Sequence, residues 1–192
     1  MNRILLFFLL AITAGCSSSE WLVKPNELEY RTLSVMYAST ELIDETGVFS
    51  DSVKTLLSTT LVDSASEGAL KKLVWAYRTT KTAGLTALKN DPNADIVFTV
   101  DRISIKKVPT LDVTHPGMNL KLTFQITAKQ AGKEVYQQSL SLHRNMAYVA
   151  GGDKKFHKIK EEEILNPDYQ IRTVEPALTT ASGKAFSSFL RL

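Results

Sequence analysis

Cys16 and the three histidines, His115, His143 and His157, are the residues of this chain best suited to ligate a metal or act as nucleophiles. No two of the histidines stand at the helical spacing of an HExxH motif, and a zinc site built on thiolates needs more than the one cysteine present. Neither a metal site nor a cofactor is expected. There is no G-x-S-x-G elbow to present a nucleophilic serine. Ser182-Gly183-Lys184 ends like a phosphate-binding loop, but Leu178 stands where the first glycine belongs and Ala185 where the magnesium-holding hydroxyl belongs. Gly151-Gly152-Asp153 has the freedom to line a ligand, although two glycines between structured segments more often make a turn. The basic run from Lys154 to Lys160 could meet anionic lipid or lipopolysaccharide phosphates; followed at once by Glu161-Glu162-Glu163, it reads better as a solvated, self-compensating helix surface. A carboxylate pair for glycoside cleavage cannot be picked out, because its separation is set in three dimensions. No catalytic residue is assigned.

The informative segment is the first sixteen residues. Met1-Asn2-Arg3 is followed by nine consecutive apolar residues, Ile4 to Ile12, and then by Thr13-Ala14-Gly15-Cys16. A positive start, a short apolar stretch and small residues at a cut site describe an export signal, and the stretch is far short of the ~20 apolar residues that span a bilayer. The segment resembles the signal of a bacterial lipoprotein: Ala14, Gly15 and Cys16 fit the lipobox, with Thr13 where leucine is usual. The resemblance implies cleavage before Cys16, a diacylglycerol on its thiol and a fatty acyl group such as palmitate on its new amino group. A lone free thiol is a liability in an oxidising compartment, whereas an acylated one is inert. One acyl chain holds a protein weakly and two or more hold it stably, at about 0.8 kcal/mol per buried methylene. Ser17 is not the aspartate that would favour retention at the inner membrane, so the resemblance implies the outer membrane, facing the periplasm.

Three segments follow from this reading: a signal at 1–15, a lipidated N-terminus with a short tether at 16–29, and a single domain at 30–192. Fully extended, Ser17 to Asn26 reaches about 35 Å, too little to cross a cell wall, so a partner in or beside the same membrane is expected. Trp21, Leu22 and Val23 either touch the lipid interface or cover an edge of the core. The net charge is +3, and loss of Arg3 with the signal leaves +2. That balance argues neither for nucleic acid nor for steering to anionic lipid.

The 192 residues suit one core. Leu33, Val35 and Tyr37 alternate along a strand at 32–39, and Asp44-Glu45-Thr46-Gly47 reads as a turn. Ser50 or Asp51 caps a helix running to about Asp63, with Val53, Leu56, Leu57, Thr60 and Leu61 as its buried stripe. The pattern at 68–81 fits helix or strand, while 82–89 reads as helix. Ile96, Phe98 and Val100 alternate along a strand at 94–107, and Ile103 and Ile105 resume out of phase, which predicts a bulge or a sharp bend near Asp101-Arg102. Leu120, Leu122, Phe124, Ile126 and Ala128 form one arm of a hairpin turned at Ala131-Gly132, and 135–143 the other. Pro176 suits the first turn of a last helix bearing Leu178, Ala181, Ala185, Phe186 and Phe189.

The expected architecture is α+β: a mixed, largely antiparallel sheet with two or three helices on one face. The order of elements resembles the small domains of Gram-negative envelope lipoproteins similar to the amino-terminal domain of TolB. The function expected is a non-enzymatic binding or assembly module, held to the membrane through Cys16 and partnered by another envelope protein. Two alternatives stay open: an envelope enzyme acting on glycan or lipid, and a carrier of a small apolar ligand. An acid-lined cleft would favour the first, an apolar cavity the second, and an exposed apolar patch the assembly module.

Overall fold

The computed structural model describes residues 17–36, 40–80, 85–109, 118–150 and 156–190. Seven strands form one sheet: β1 (Ser17–Trp21), β2 (Thr32–Val35), β3 (Glu41–Asp44), β4 (Thr86–Lys89), β5 (Ile96–Val108), β6 (Asn119–Gln130) and β7 (Lys133–Asn145). β8 (Tyr148–Ala150) and β9 (Phe156–Lys158) pair with each other. The helices are α1 (Asp51–Leu57), α2 (Thr60–Thr80), α3 (Glu161–Ile164) and α4 (Pro167–Leu190).

The sheet runs β1-β7-β6-β5-β2-β4, with β3 also on β5. The long strands β5, β6 and β7 and the short β1 are antiparallel, and β2, β3 and β4 join in parallel. This is the α+β architecture expected, with α2 over β2 and β4 and α4 over β6 and β7.

β5 organises the rest. Its pairing with β6 slips between Val100 and Arg102, so Asp101 is the extra residue of a β-bulge. An extra residue shifts the alternation by one. Ile96, Phe98 and Val100 before the bulge, and Ile103 and Ile105 after it, therefore all face the buried side. The bulge also divides the far edge of β5. β2 pairs with Ile96 to Phe98 and β3 with Arg102 to Ile105, while Thr40 Oγ1 donates to the Val100 carbonyl at 2.8 Å in the gap. On the other side the hairpin turns at Ala131 and Gly132, whose φ values of 48° and 79° are those of a tight two-residue turn.

Several sequence expectations need correction. The stretch after Cys16 is not a free arm: Ser17 to Trp21 pair with Leu140 to Tyr136 as an edge strand, and Leu22 N donates to the Val135 carbonyl. Residues 86–89 are a strand beside β2, not a helix, because parallel pairing overrides the helix propensity of Ala87, Leu88 and Lys89; 81–84 lie outside the described residues. The helix capped by Ser50, whose Oγ accepts from Val53 N, does not continue to Asp63. Ser58 and Thr59 both turn their hydroxyls to the Thr55 carbonyl and break it after Leu57, and Leu56 lies exposed. The ambiguous segment at 68–81 is helix through Thr80. Pro167, not Pro176, takes the first turn of the last helix, and Pro176 sits exposed inside it. Leu178, Ala181, Ala185, Phe186 and Phe189 are buried as expected. β2 ends at Val35, and Tyr37 lies outside the described residues.

Candidate functional site

Cys16 and His115 lie outside the described residues, as do Gly151, Gly152, Asp153, Lys154 and Lys155. His143 is exposed on β7 and His157 lies on β9, in the other sheet. Among the described residues no three His, Cys, Asp or Glu side chains gather as a metal site would require. Ser182-Gly183-Lys184 is in mid-helix, and Ser182 is buried against Ser66 with hydroxyl oxygens 2.8 Å apart, which is a helix-to-helix contact rather than a phosphate loop. Glu161, Glu162 and Glu163 are the exposed first turn of α3, where carboxylates meet the positive end of the helix.

The segment after Cys16 takes its geometry from β1. Ser17, bonded directly to Cys16, stands opposite Leu140. Four residues on, Trp21 turns its indole to the helix-bearing face, where it stacks on Phe189 at 5.0 Å and tilts against Tyr136 at 5.0 Å. Phe98 continues the cluster, 5.2 Å from Phe189 and 4.6 Å from Phe186. Of the two roles open to Trp21, it takes the one within the core. Burial pushes the Tyr136 phenol above its ordinary pKa, with smaller opposing contributions from Ser188 and Ser19, and its hydroxyl donates to Gln138 Oε1 at 2.8 Å.

The face of the sheet away from the helices is polar. Register places Ser18, Glu20, Gln125, Thr127, Gln137 and Ser139 there, along a groove of about 770 Å³ that reaches the bulge. At its head the Asp101 carboxylate accepts from Thr99 Oγ1 at 2.8 Å and from Thr127 Oγ1 at 2.7 Å, one hydroxyl on each oxygen. Farther along, Gln137 Nε2 donates to Glu20 Oε2 at 2.6 Å. Both carboxylates thus serve as acceptors that fix the strands, and an amide- and hydroxyl-lined trough is suited to hydrogen-bonding a polar surface.

A third feature, invisible in the sequence, is Asp95. Its Oδ2 accepts from Arg31 N at 2.8 Å and Thr32 N at 2.9 Å, while Thr32 Oγ1 accepts from Asp95 N. These bonds, the Arg31 amide first, hold its carboxyl below the ordinary value of 3.8. It fixes the start of β2 to β5. Trp75 was not singled out either: at 72% exposure it stands out from α2, whereas Leu70 and Val74 face the core. Helical spacing carried a hint of this, since position 75 falls outside the stripe formed by 70, 73, 74 and 77.

No protein-family model and no curated protein sequence matches the chain. Among solved structures, it is similar to the PelC dodecamer from Paraburkholderia phytofirmans, at 11% identity over 91% of this chain and 97% of that one, with a TM-score of 0.42. It is also similar to a minor lipoprotein from Acinetobacter baumannii, at 14% identity over 84% of this chain and 94% of that one, with a TM-score of 0.43. Likeness of this degree transfers no residue role.

Proposed function

We propose that this protein is an envelope lipoprotein, acylated at Cys16 and held at the periplasmic face of the outer membrane, whose body is a non-enzymatic binding or assembly module for another envelope protein. The observation that carries the reading is the lipobox: small residues and the chain's single cysteine directly after a short apolar stretch. The fold is consistent with it, since Ser17 to Trp21 pair with β7 and leave no long arm between Cys16 and the body. The body is therefore tied closely to its membrane. Exposed Trp75 is compatible with the assembly role, because tryptophan is enriched among the residues that carry binding energy in protein interfaces. The polar groove supports binding over hydrolysis, because both oxygens of Asp101 are already engaged by threonine hydroxyls.

The test is Cys16→Ser in cells fed a labelled fatty acid. The unsubstituted protein is expected in the outer-membrane fraction with label, and the variant unlabelled and uncleaved. Label on the variant, or an unlabelled and soluble wild type, would overturn the reading.

A further inference from the structure

The three long strands bring together basic side chains that are far apart in sequence. Register sets Lys106 opposite Lys121, and Lys121 opposite His143, in one row on the face away from the helices. One step nearer the strand ends, Lys107 and Arg144 flank Leu120 on the other face. Like charges directly opposite each other on neighbouring strands destabilise a sheet, so a row of this kind calls for an anionic neighbour. Glu45 supplies one to Lys106, at 2.7 Å. Close to the same end, Lys158 and Lys160 flank the glutamates of α3, and Ile159 N is bonded to the Ala147 carbonyl just past β7.

The path of β1 points the anchor to this end. β1 is antiparallel to β7 and starts opposite Leu140, so the N-terminal end of β1 points along β7 toward Asn145. Cys16 is one peptide step, about 3.8 Å, from Ser17, and the strand end at Asn145 is about 17 Å beyond Leu140 at the usual rise per residue. The hairpin tip at Ala131-Gly132 lies at the opposite end, with Lys129 and Glu134 offsetting each other at 3.9 Å.

We propose that the end of the sheet bearing Lys106, Lys107, Lys121 and Arg144 rests on anionic phospholipid headgroups of the membrane that holds Cys16. This rests on the acylated reading above. The body then stands with its hairpin tip toward the aqueous space. Each cation at an anionic leaflet strengthens association by about fivefold, an effect that salt screens over about 8 Å at physiological ionic strength.

The experiment uses the full acylated protein in vesicles of phosphatidylcholine containing phosphatidylglycerol, with a quencher on a fraction of the headgroups. Val108→Cys or Lys133→Cys supplies one free thiol for a fluorophore, the Cys16 sulfur being blocked by its thioether. Quenching is expected to be several times stronger at position 108 than at 133. High salt, omission of phosphatidylglycerol, or the triple variant Lys107→Glu, Lys121→Glu, Arg144→Glu should each remove that contrast while the protein still floats with the vesicles. Equal quenching at both positions, stronger quenching at 133, or a contrast indifferent to salt would overturn the proposal. So would shielding of position 108 in cell membranes but not in vesicles, which would assign this end to a protein partner. Salt dependence in the singly labelled protein keeps the test valid if the triple variant does not fold. Failure of the unsubstituted protein to float is a different result, and counts against acylation itself.

Discussion

Trp21 stacks on Phe189 with ring centroids 5.0 Å apart and planes 24° from parallel, joining the first described strand to the last helix. Tyr30 also approaches Phe189, at 5.4 Å, and Tyr136 meets its edge at 5.6 Å. Were the chain anchored at Cys16 as proposed, the anchor would connect directly to its core. Force or orientation imposed at Cys16 reaches α4 through packed rings rather than through a loose arm.

Trp21→Ala should therefore loosen β1 without dissolving the sheet. Trp21 is half-buried, so the expected loss is about 3 kcal/mol, the low end for removing a large aromatic side chain. Urea denaturation measures the loss. Hydrogen exchange should show the Leu22 amide, bonded to the Val135 carbonyl at 3.0 Å, losing protection before the amides of β6.

Gln170 is fully buried, and its side-chain amide accepts from Ser50 N at 3.2 Å and donates to the carbonyls of Val48 and Ile164 at 2.8 and 3.1 Å. It joins α4 to the loop before α1. Gln170→Leu keeps the volume and strands these partners, and should cost about 3 kcal/mol, since each buried polar group left unpaired costs about 1–3 kcal/mol. A melting temperature unchanged by the substitution would show that these bonds contribute nothing.

Among the described residues Ser66 and Ser182 bond to each other across the α2–α4 seam, both fully buried with oxygens 2.8 Å apart. Either serine replaced by alanine leaves one hydroxyl buried alone, at about 1–2 kcal/mol. Replacing both removes the orphan. The double variant should be more stable than the sum of the two single losses implies, which a cycle of four denaturation curves reads directly.

Much of this fold was legible in the sequence for a physical reason. β5, β6 and β7 each bury one face, and a period of two survives in Leu120, Leu122, Phe124, Ile126 and Ala128 without help from the rest of the chain. The phase break between Val100 and Ile103 was legible too, and of the bulge or bend it allowed, the register shift at Asp101 selects the bulge. What failed were elements defined by their neighbours. Ser17-Ser18-Ser19 has no strand pattern, and is a strand only because β7 offers an edge. Residues 86–89 favour helix locally and are a strand only because β2 lies beside them. Two prolines could each have opened the last helix, and what selects Pro167 is Asn166, whose Oδ1 accepts from Asp168 N. The candidate site divides in the same way. The expectation at Cys16 rests on contiguous residues and needs no fold, whereas the row of Lys106, Lys121 and His143 exists only through register across three strands.

Asp95 adds a pH dependence whose sign is fixed. Its folded carboxyl is held below 3.8 by the Arg31 and Thr32 bonds, so the unfolded chain takes up the proton first as pH falls. The contribution is complete above the ordinary carboxylate value and fades as pH drops through it toward the folded value. Asp95→Asn should flatten that part of the stability profile and leave the slope near neutrality unchanged, as denaturation midpoints at a series of pH values will show. The effect is small, since the group is exposed.

Intact-mass analysis of the protein extracted from membranes bears on the main claim most directly. The account predicts a chain that begins at Cys16 and carries a diacylglycerol on sulfur and a fatty acyl group on the new amino terminus. A chain that begins at any other residue, or a Cys16 with a free thiol, would contradict it.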